Sequence, residues 1–235
     1  MKTTVSIAGA SGYTGAELLT LLLRHPNVEV AHVYAHTSAG KKIAAERPAL
    51  AKVTELSYEP LDAAGNDDSE VVFVSLPHGE SQKIIPQFIG KKRIIDLGGD
   101  FRLRSADAYS RYYRSEHTAQ ELIGHAVYGM PELNGVEIKS SSFVANPGCY
   151  PTSAILALAP LAAAQLLPPR VGIVSLSGVS GAGKTPSPAT HFPEANESVS
   201  AYKVGTHQHT PEIEQALSVL AGSDITRRLY RICFP

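Results

Sequence analysis

The start of this chain leaves few folds open to it. A β-rich run, Thr3 to Ala8, breaks at Gly9-Ala10-Ser11-Gly12-Tyr13-Thr14-Gly15, passes into a helical run over Thr14 to Arg24, and resumes as a second β-rich run from Val28 to Tyr34. Strand, glycine turn, helix and strand in that order make the βαβ unit of a parallel sheet, so an α/β doubly wound domain begins at residue 1. Val71 to Leu76 and Arg93 to Leu97 are further buried-strand candidates, and Pro86 shortens the helical run between them, Ser81 to Ile89.

Near Ser140 to Ser142 the composition shifts. A short strand (Phe143 to Ala145), a Pro-Gly turn and an Ala/Leu-rich helix starting near Pro151 follow. The expected division is 1–145 as a dinucleotide-binding domain and 146–235 as a mixed α/β catalytic domain. The second part reads as a strand at Val171 to Ser177, a Gly/Pro-rich loop, a strand near Ser198 to Gly205, and a helix from Pro211 with Thr210 as N-cap.

Composition narrows the function classes. With 43% hydrophobic and 18% charged residues, global disorder is excluded, and 21 Lys+Arg against 22 Asp+Glu give no basic field for nucleic acid or an anionic membrane. Small molecules and further copies of the chain are the expected partners. Cys149 and Cys233 make no disulfide framework, which fits a reducing compartment. With no export signal and no apolar run near the roughly 18 residues of a membrane span, a soluble cytoplasmic protein is expected; the Ala/Leu run ends at Pro168 and Pro169.

The glycine loop lets backbone N–H groups approach a pyrophosphate at a helix N-terminus, which points to a Rossmann-type dinucleotide site at Gly9, Ser11, Gly12, Tyr13, Thr14 and Gly15. Its spacing is G-x-x-G-x-x-G, and a purely structural turn is the competing reading. An NAD-type site would place Asp or Glu about 20 residues on. The stretch His36-Thr37-Ser38-Ala39-Gly40-Lys41-Lys42 has none, and the hydroxyls and ammonium groups of Thr37, Ser38 and Lys41 favour NADP, against a merely solvated loop.

Gly178 to Thr185 satisfies the triphosphate pattern G-x-x-x-x-G-K-[ST], but Pro186, Pro188 and Pro193 prevent the helix that such a loop needs. Its glycine amides and Lys184 suit an acyl phosphate or carboxylate instead, a surface loop being the alternative.

Asn146-Pro147-Gly148-Cys149-Tyr150-Pro151-Thr152 sets a cysteine between a short strand and a helix N-terminus, where the dipole and free N–H groups stabilise thiolate and an oxyanion. A lone cysteine is as readily an inert core residue. His207-Gln208-His209-Thr210-Pro211-Glu212 supplies two imidazoles, either of which could take the thiol proton. A metal reading of His-x-His lacks a third ligand at recognisable spacing.

Together these segments resemble the N-acetyl-gamma-glutamyl-phosphate reductases, a family related in architecture to aspartate-semialdehyde dehydrogenase. The resemblance rests on Gly9 to Gly15, Leu76-Pro77-His78-Gly79, Asp96 to Leu103, Tyr128 to Leu133, Asn146 to Thr152, Ser177 to Lys184 and His207 to Ile213, in family order. It implies NADPH-dependent reduction of an N-acetylglutamyl acyl phosphate to the semialdehyde, an arginine-biosynthesis step. It places the nucleophile at Cys149 and the acid/base at His207, with His209 second. It extends cofactor contacts to Pro77, Ser180 and Gly181, and it implies a homo-oligomer, dimer or tetramer. Arg102, Asn146, Lys184 and Glu212 are the substrate-binding candidates, Arg102 because a planar guanidinium matches carboxylate and phosphate. Arg104 reads as a surface charge.

Members of that family are longer, and Thr226 to Pro235 departs from their continuation. The second domain therefore reads as C-terminally truncated, with an exposed sheet edge and reduced stability and activity expected. Two other readings follow: a related semialdehyde dehydrogenase with another acyl substrate, and a non-catalytic dinucleotide-binding remnant.

Overall fold

The computed structural model describes residues 1–168, 170–225 and 229–234, the last stretch by its backbone. In chain order the elements are β1 (Thr3–Ala8), α1 (Tyr13–Leu22), β2 (Val28–Ala35), α2 (Ile43–Glu46), β3 (Glu59–Pro60), β4 (Val71–Val74), α3 (Ser81–Ile84), β5 (Arg93–Asp96), α4 (Ala106–Tyr113), β6 (Val127–Tyr128), α5 (Pro131–Ser140), β7 (Phe143–Ala145), α6 (Cys149–Ala163), β8 (Val171–Leu176), α7 (Phe192–Ala195), α8 (His209–Ala221) and β9 (Leu229–Phe234). They form two compact units: Met1–Arg102 with His117–Asn146, and Leu103–Glu116 with Pro147–Pro235. Among the described residues, no helix is long and apolar enough to cross a membrane.

The first unit is built on a seven-stranded sheet in the order β3-β2-β1-β4-β5-β7-β6. Every pairing in it is parallel, which is the doubly wound arrangement implied by the βαβ start. Alternation along the strands feeds two cores. Val5, Ile7, Val33 and Ala35 pack with Leu19 and Leu22 of α1 on one face, and Ala8, Tyr34, Val72, Val74 and Ile94 pack with Ile84, Ile85 and Phe88 on the other. Because β2 and β4 flank β1 on opposite sides, the chain reverses direction across the sheet at the carboxyl end of β1, where open α/β sheets leave a crevice for ligands.

In the second unit, α6 packs on α8, and β8 pairs in parallel with β9 from Val171 beside Leu229 to Leu176 beside Phe234. Of the divergent tail, residues 226–228 and 235 lie outside the described residues, as does Pro169; the backbone of 229–234 is strand. The side chain of Cys233 is likewise outside the described residues.

Three local expectations need correction. No strand forms at Ser198 to Gly205: Lys203 (φ 45°) and Gly205 (φ 71°) turn the backbone out of the extended region, and Val199 and Val204 stay exposed. The last long helix opens at His209 with Gln208 as N-cap, so Thr210 sits inside its first turn, and its Oγ1 is buried without a hydrogen-bond partner. The Ala/Leu helix opens at Cys149 after Gly148, earlier than Pro151.

Candidate active site

In the second unit, Cys149 is the first residue of α6 and is exposed. No side chain caps this helix; Pro151 has no N–H and the Thr152 N–H already donates to Gly148 O at 2.9 Å, so the Cys149 amide, at the positive end of the helix, is the donor disposed for an anion beside the thiol. Just before it, the Gly148 N–H donates to Glu212 Oε1 at 2.8 Å. Glu212 lies in the first turn of α8 and is 1% exposed, so a buried carboxylate holds the approach to the cysteine against the helix that His209 begins.

The two imidazoles are buried together. Their rings lie 4.7 Å apart, and both stand edge-on to Tyr150, the residue after Cys149, at 5.4 Å for His207 and 5.8 Å for His209. His207 Nδ1 accepts the N–H of His209 at 3.1 Å, which puts the proton of the neutral ring on Nε2. Nε2 lies 3.0 Å from the Tyr202 hydroxyl, which donates onward to the Tyr150 hydroxyl at 3.3 Å. Tyr150, His207, His209, Thr210, Ser175 and Ile213 line a cavity of about 10 Å³, close to the room that one water needs.

The glycine loop over 178–184 carries no α-helix. A 3-10 turn covers Val179–Ala182, and Ser180, Gly181 and Lys184 are all exposed. The loop borders an open depression of about 420 Å³ lined by Leu176, Ser177, Gly178, Val179, Ala195 and Val199. The Arg104 N–H donates to Gln215 on α8 at 2.9 Å.

In the first unit, Gly9 has φ 92°, and a Cβ there would lie 2.2 Å from the Ser75 carbonyl oxygen; one on Gly15 would lie 2.4 Å from Gly9 O. These two glycines are demanded by close backbone approach. Gly12 is the N-cap of α1, where a Cβ would meet only Gly9 O at 3.7 Å, and no side chain caps the helix. The open mouth and the first-turn amides of Tyr13, Thr14 and Gly15 fit a pyrophosphate. The loop is fastened to the end of β2 by Gly9 and Ala10 N–H groups donating to Tyr34 O at 2.9 and 3.1 Å.

Beyond β2, Thr37 is exposed while Ser38 is buried. Ser38 Oγ donates to Glu46 Oε1 at 2.7 Å, and Lys41 Nζ lies 3.3 Å from the same oxygen. Pro77 is exposed just past β4, in a turn held by Asp100, whose two carboxylate oxygens accept the Gly79 N–H at 2.9 and 3.0 Å. Arg102 is buried and donates to the carbonyls of Asn146 at 2.7 Å and Leu97 at 2.8 Å. Those bonds aim its guanidinium at the ends of β5 and β7. Asn146 itself donates its N–H to Asp96 O at 2.7 Å.

Sequence reasoning gave no site role to Tyr202, Glu46, Tyr150 or Asp96, although the last two lie within the segments that carry the resemblance. Asp96 is fully buried, and burial pushes its carboxyl up to about 7 despite hydrogen bonds from the Gly98 N–H and the Ser81 hydroxyl. Its placement at the end of an apolar strand was the available signal.

Residues 4–141 match the family described as semialdehyde dehydrogenase, NAD binding domain, and residues 149–233 match the semialdehyde dehydrogenase dimerisation domain. The chain is 47% identical over 225 residues to an N-acetyl-gamma-glutamyl-phosphate reductase of Desulforudis audaxviator, covering 94% of this chain and 65% of the relative. A namesake from Desulforamulus reducens is 48% identical over 227 residues, with the same coverage of 94% and 65%. The chain thus spans about 65% of the length of these curated relatives. Among solved structures, aspartate semialdehyde dehydrogenase with NADP from Candida albicans aligns at TM-score 0.63 and 14% identity, over 100% of this chain and 67% of that one. Aspartate semialdehyde dehydrogenase II from Vibrio cholerae, complexed with ASA, aligns at TM-score 0.63 and 16% identity, over 99% and 70%.

Proposed function

Because the chain belongs to the semialdehyde dehydrogenase family, we propose that it carries out the NADPH-dependent reduction of N-acetyl-gamma-glutamyl phosphate to the semialdehyde. The observation that carries the reading is the grip of Glu212 on the Gly148 N–H, which ties the exposed thiol of Cys149 to the helix that starts at His209. The names of the relatives supply the substrate.

In this reading the Cys149 thiolate attacks the acyl carbonyl, the Cys149 amide at the start of α6 holds the oxyanion, and the C–O bond to phosphate breaks to leave a thioester on Sγ. NADPH, when bound, supplies the hydride for that thioester. The imidazole pair takes the thiol proton at the start, and it accepts the thiohemiacetal hydroxyl proton as the C=O bond forms and the C–S bond breaks to release the aldehyde and the Cys149 thiolate. Both ring nitrogens of His207 are engaged, by the His209 N–H and the Tyr202 hydroxyl, so the imidazole pair is tied into a hydrogen-bonded chain with Tyr202 and Tyr150, with His207 as the acid/base and His209 second. Lys184, exposed on its loop, is free to meet an anionic substrate group; Arg102 acts on the backbone. The dimerisation-domain match supports a homo-oligomer, and a reducing cytoplasm would keep the thiol active.

The test is phosphate-dependent oxidation of N-acetylglutamate semialdehyde with NADP, followed by NADPH absorbance. The expected result is turnover that falls about a thousandfold or more in Cys149→Ser while NADPH binding persists. NADPH binding by the unaltered chain without turnover would overturn the catalytic reading in favour of a dinucleotide-binding role.

A further inference from the structure

The dinucleotide reading assigned the hydroxyl of Ser38 and the ammonium of Lys41 to a ribose 2′-phosphate, partly because no carboxylate lies among residues 36–42. The fold brings one in. After β2 the chain turns at Gly40 (φ 82°), whose N–H donates to Tyr58 O at 2.7 Å, while the Tyr58 N–H returns to Lys41 O at 2.9 Å. That exchange closes the loop onto α2 and sets Glu46 against Ser38 and Lys41, with one oxygen, Oε1, taking the hydroxyl at 2.7 Å and lying 3.3 Å from the ammonium. Ser38 is 3% exposed, so its hydroxyl cannot turn to water instead.

The end of β2 is where a dinucleotide-binding domain meets the ribose 2′ position, and here it is fastened to the glycine loop through Tyr34 O. Resting on the reading of this unit as a nicotinamide dinucleotide site, we infer that Glu46 sets the choice of dinucleotide, holding the donors of Ser38 and Lys41 so that a 2′-phosphate must displace it while a free 2′-hydroxyl can donate to it. A carboxylate and a phosphate competing for the same two donors repel each other in a partly buried place, where solvent screens less than in bulk. A ribose hydroxyl meets no such repulsion and gains an acceptor. Glu46 therefore makes the chain more tolerant of NAD(H) than Ser38 and Lys41 alone imply.

The experiment titrates the full chain and its Glu46→Gln and Lys41→Ala variants with NADPH and with NADH, reading nicotinamide fluorescence at equilibrium. Glutamine keeps an acceptor for Ser38 and removes the charge. The expected result is a ratio of NADPH to NADH affinity that rises about tenfold in Glu46→Gln and falls in Lys41→Ala, with the Glu46 effect shrinking as salt is raised. A ratio in Glu46→Gln that stays within about twofold of the unaltered chain while both dinucleotides bind overturns this inference and leaves the functional reading standing. Failure of the unaltered chain to bind either dinucleotide overturns both.

Discussion

Among the described residues, Asp96 carries a clear pH signature. Its carboxyl rises from 3.8 in the unfolded chain to about 7 when folded, because burial disfavours the charge more than the Gly98 and Ser81 hydrogen bonds favour it. Between those values the folded chain keeps a proton that the unfolded chain releases. The associated stability is therefore full below about pH 4 and is lost as pH rises through 7. At about 1.4 kcal/mol per unit the effect is on the order of 4 kcal/mol. Chemical denaturation across pH 4–8 is expected to show this decline, and Asp96→Asn is expected to flatten it; an unaltered slope in the variant would refute the assignment. Gly9→Ala forces a side chain to φ 92° and against the Ser75 carbonyl, so a loss of roughly 2–5 kcal/mol is expected in the same assay. Local position was legible in the sequence where a turn marks it, as in the placement of Cys149 at a helix start and the tight backbone at Gly9. Glu46 and Tyr202 were not, because a hydrogen bond across a folded loop leaves no mark on the spacing of the partners.

Arg102 decides a question about elements. Its guanidinium joins the carbonyls that follow β5 and β7, so Arg102→Ala strips two charge-assisted bonds from the carboxyl edge of the sheet. The expected cost is about 2–4 kcal/mol of unfolding free energy, with no selective rise in KM for the acyl phosphate of the proposed reaction. A raised KM at unchanged stability would return Arg102 to substrate binding. Elements with strong periodicity read well: β1 and β7 have the limits expected from their β-rich runs. The segment 198–205 failed because alternating Val and Tyr make a strand only beside a neighbour, and here positive φ angles at Lys203 and Gly205 bend the chain first. Nothing in composition marked Leu103–Glu116 as belonging with the second unit, since that membership depends on contacts such as the Arg104 N–H to Gln215.

For the molecule as a whole, the second unit is the less covered of the two. Its two-stranded sheet leaves Val174 66% and Leu176 69% exposed, and two strands bury too little to be stable unassisted. Sedimentation of the chain is expected to show self-association that Val174→Lys with Leu176→Lys reduces; identical profiles for the two proteins would sink that expectation. The parallel sheet of the first unit was visible from the order of strands and helices, whereas the exposed face of β8 required knowing which strand lies beside it. The bond from Gly148 to Glu212 spans 64 positions of sequence. During synthesis at about 5–20 residues per second, Cys149 emerges from the ribosome several seconds before the carboxylate that secures its neighbour. Throughout that interval the thiol is chemically present while the bond that later fixes its backbone does not yet exist, so its reactivity toward oxidants and electrophiles is that of a thiol on an unfolded chain.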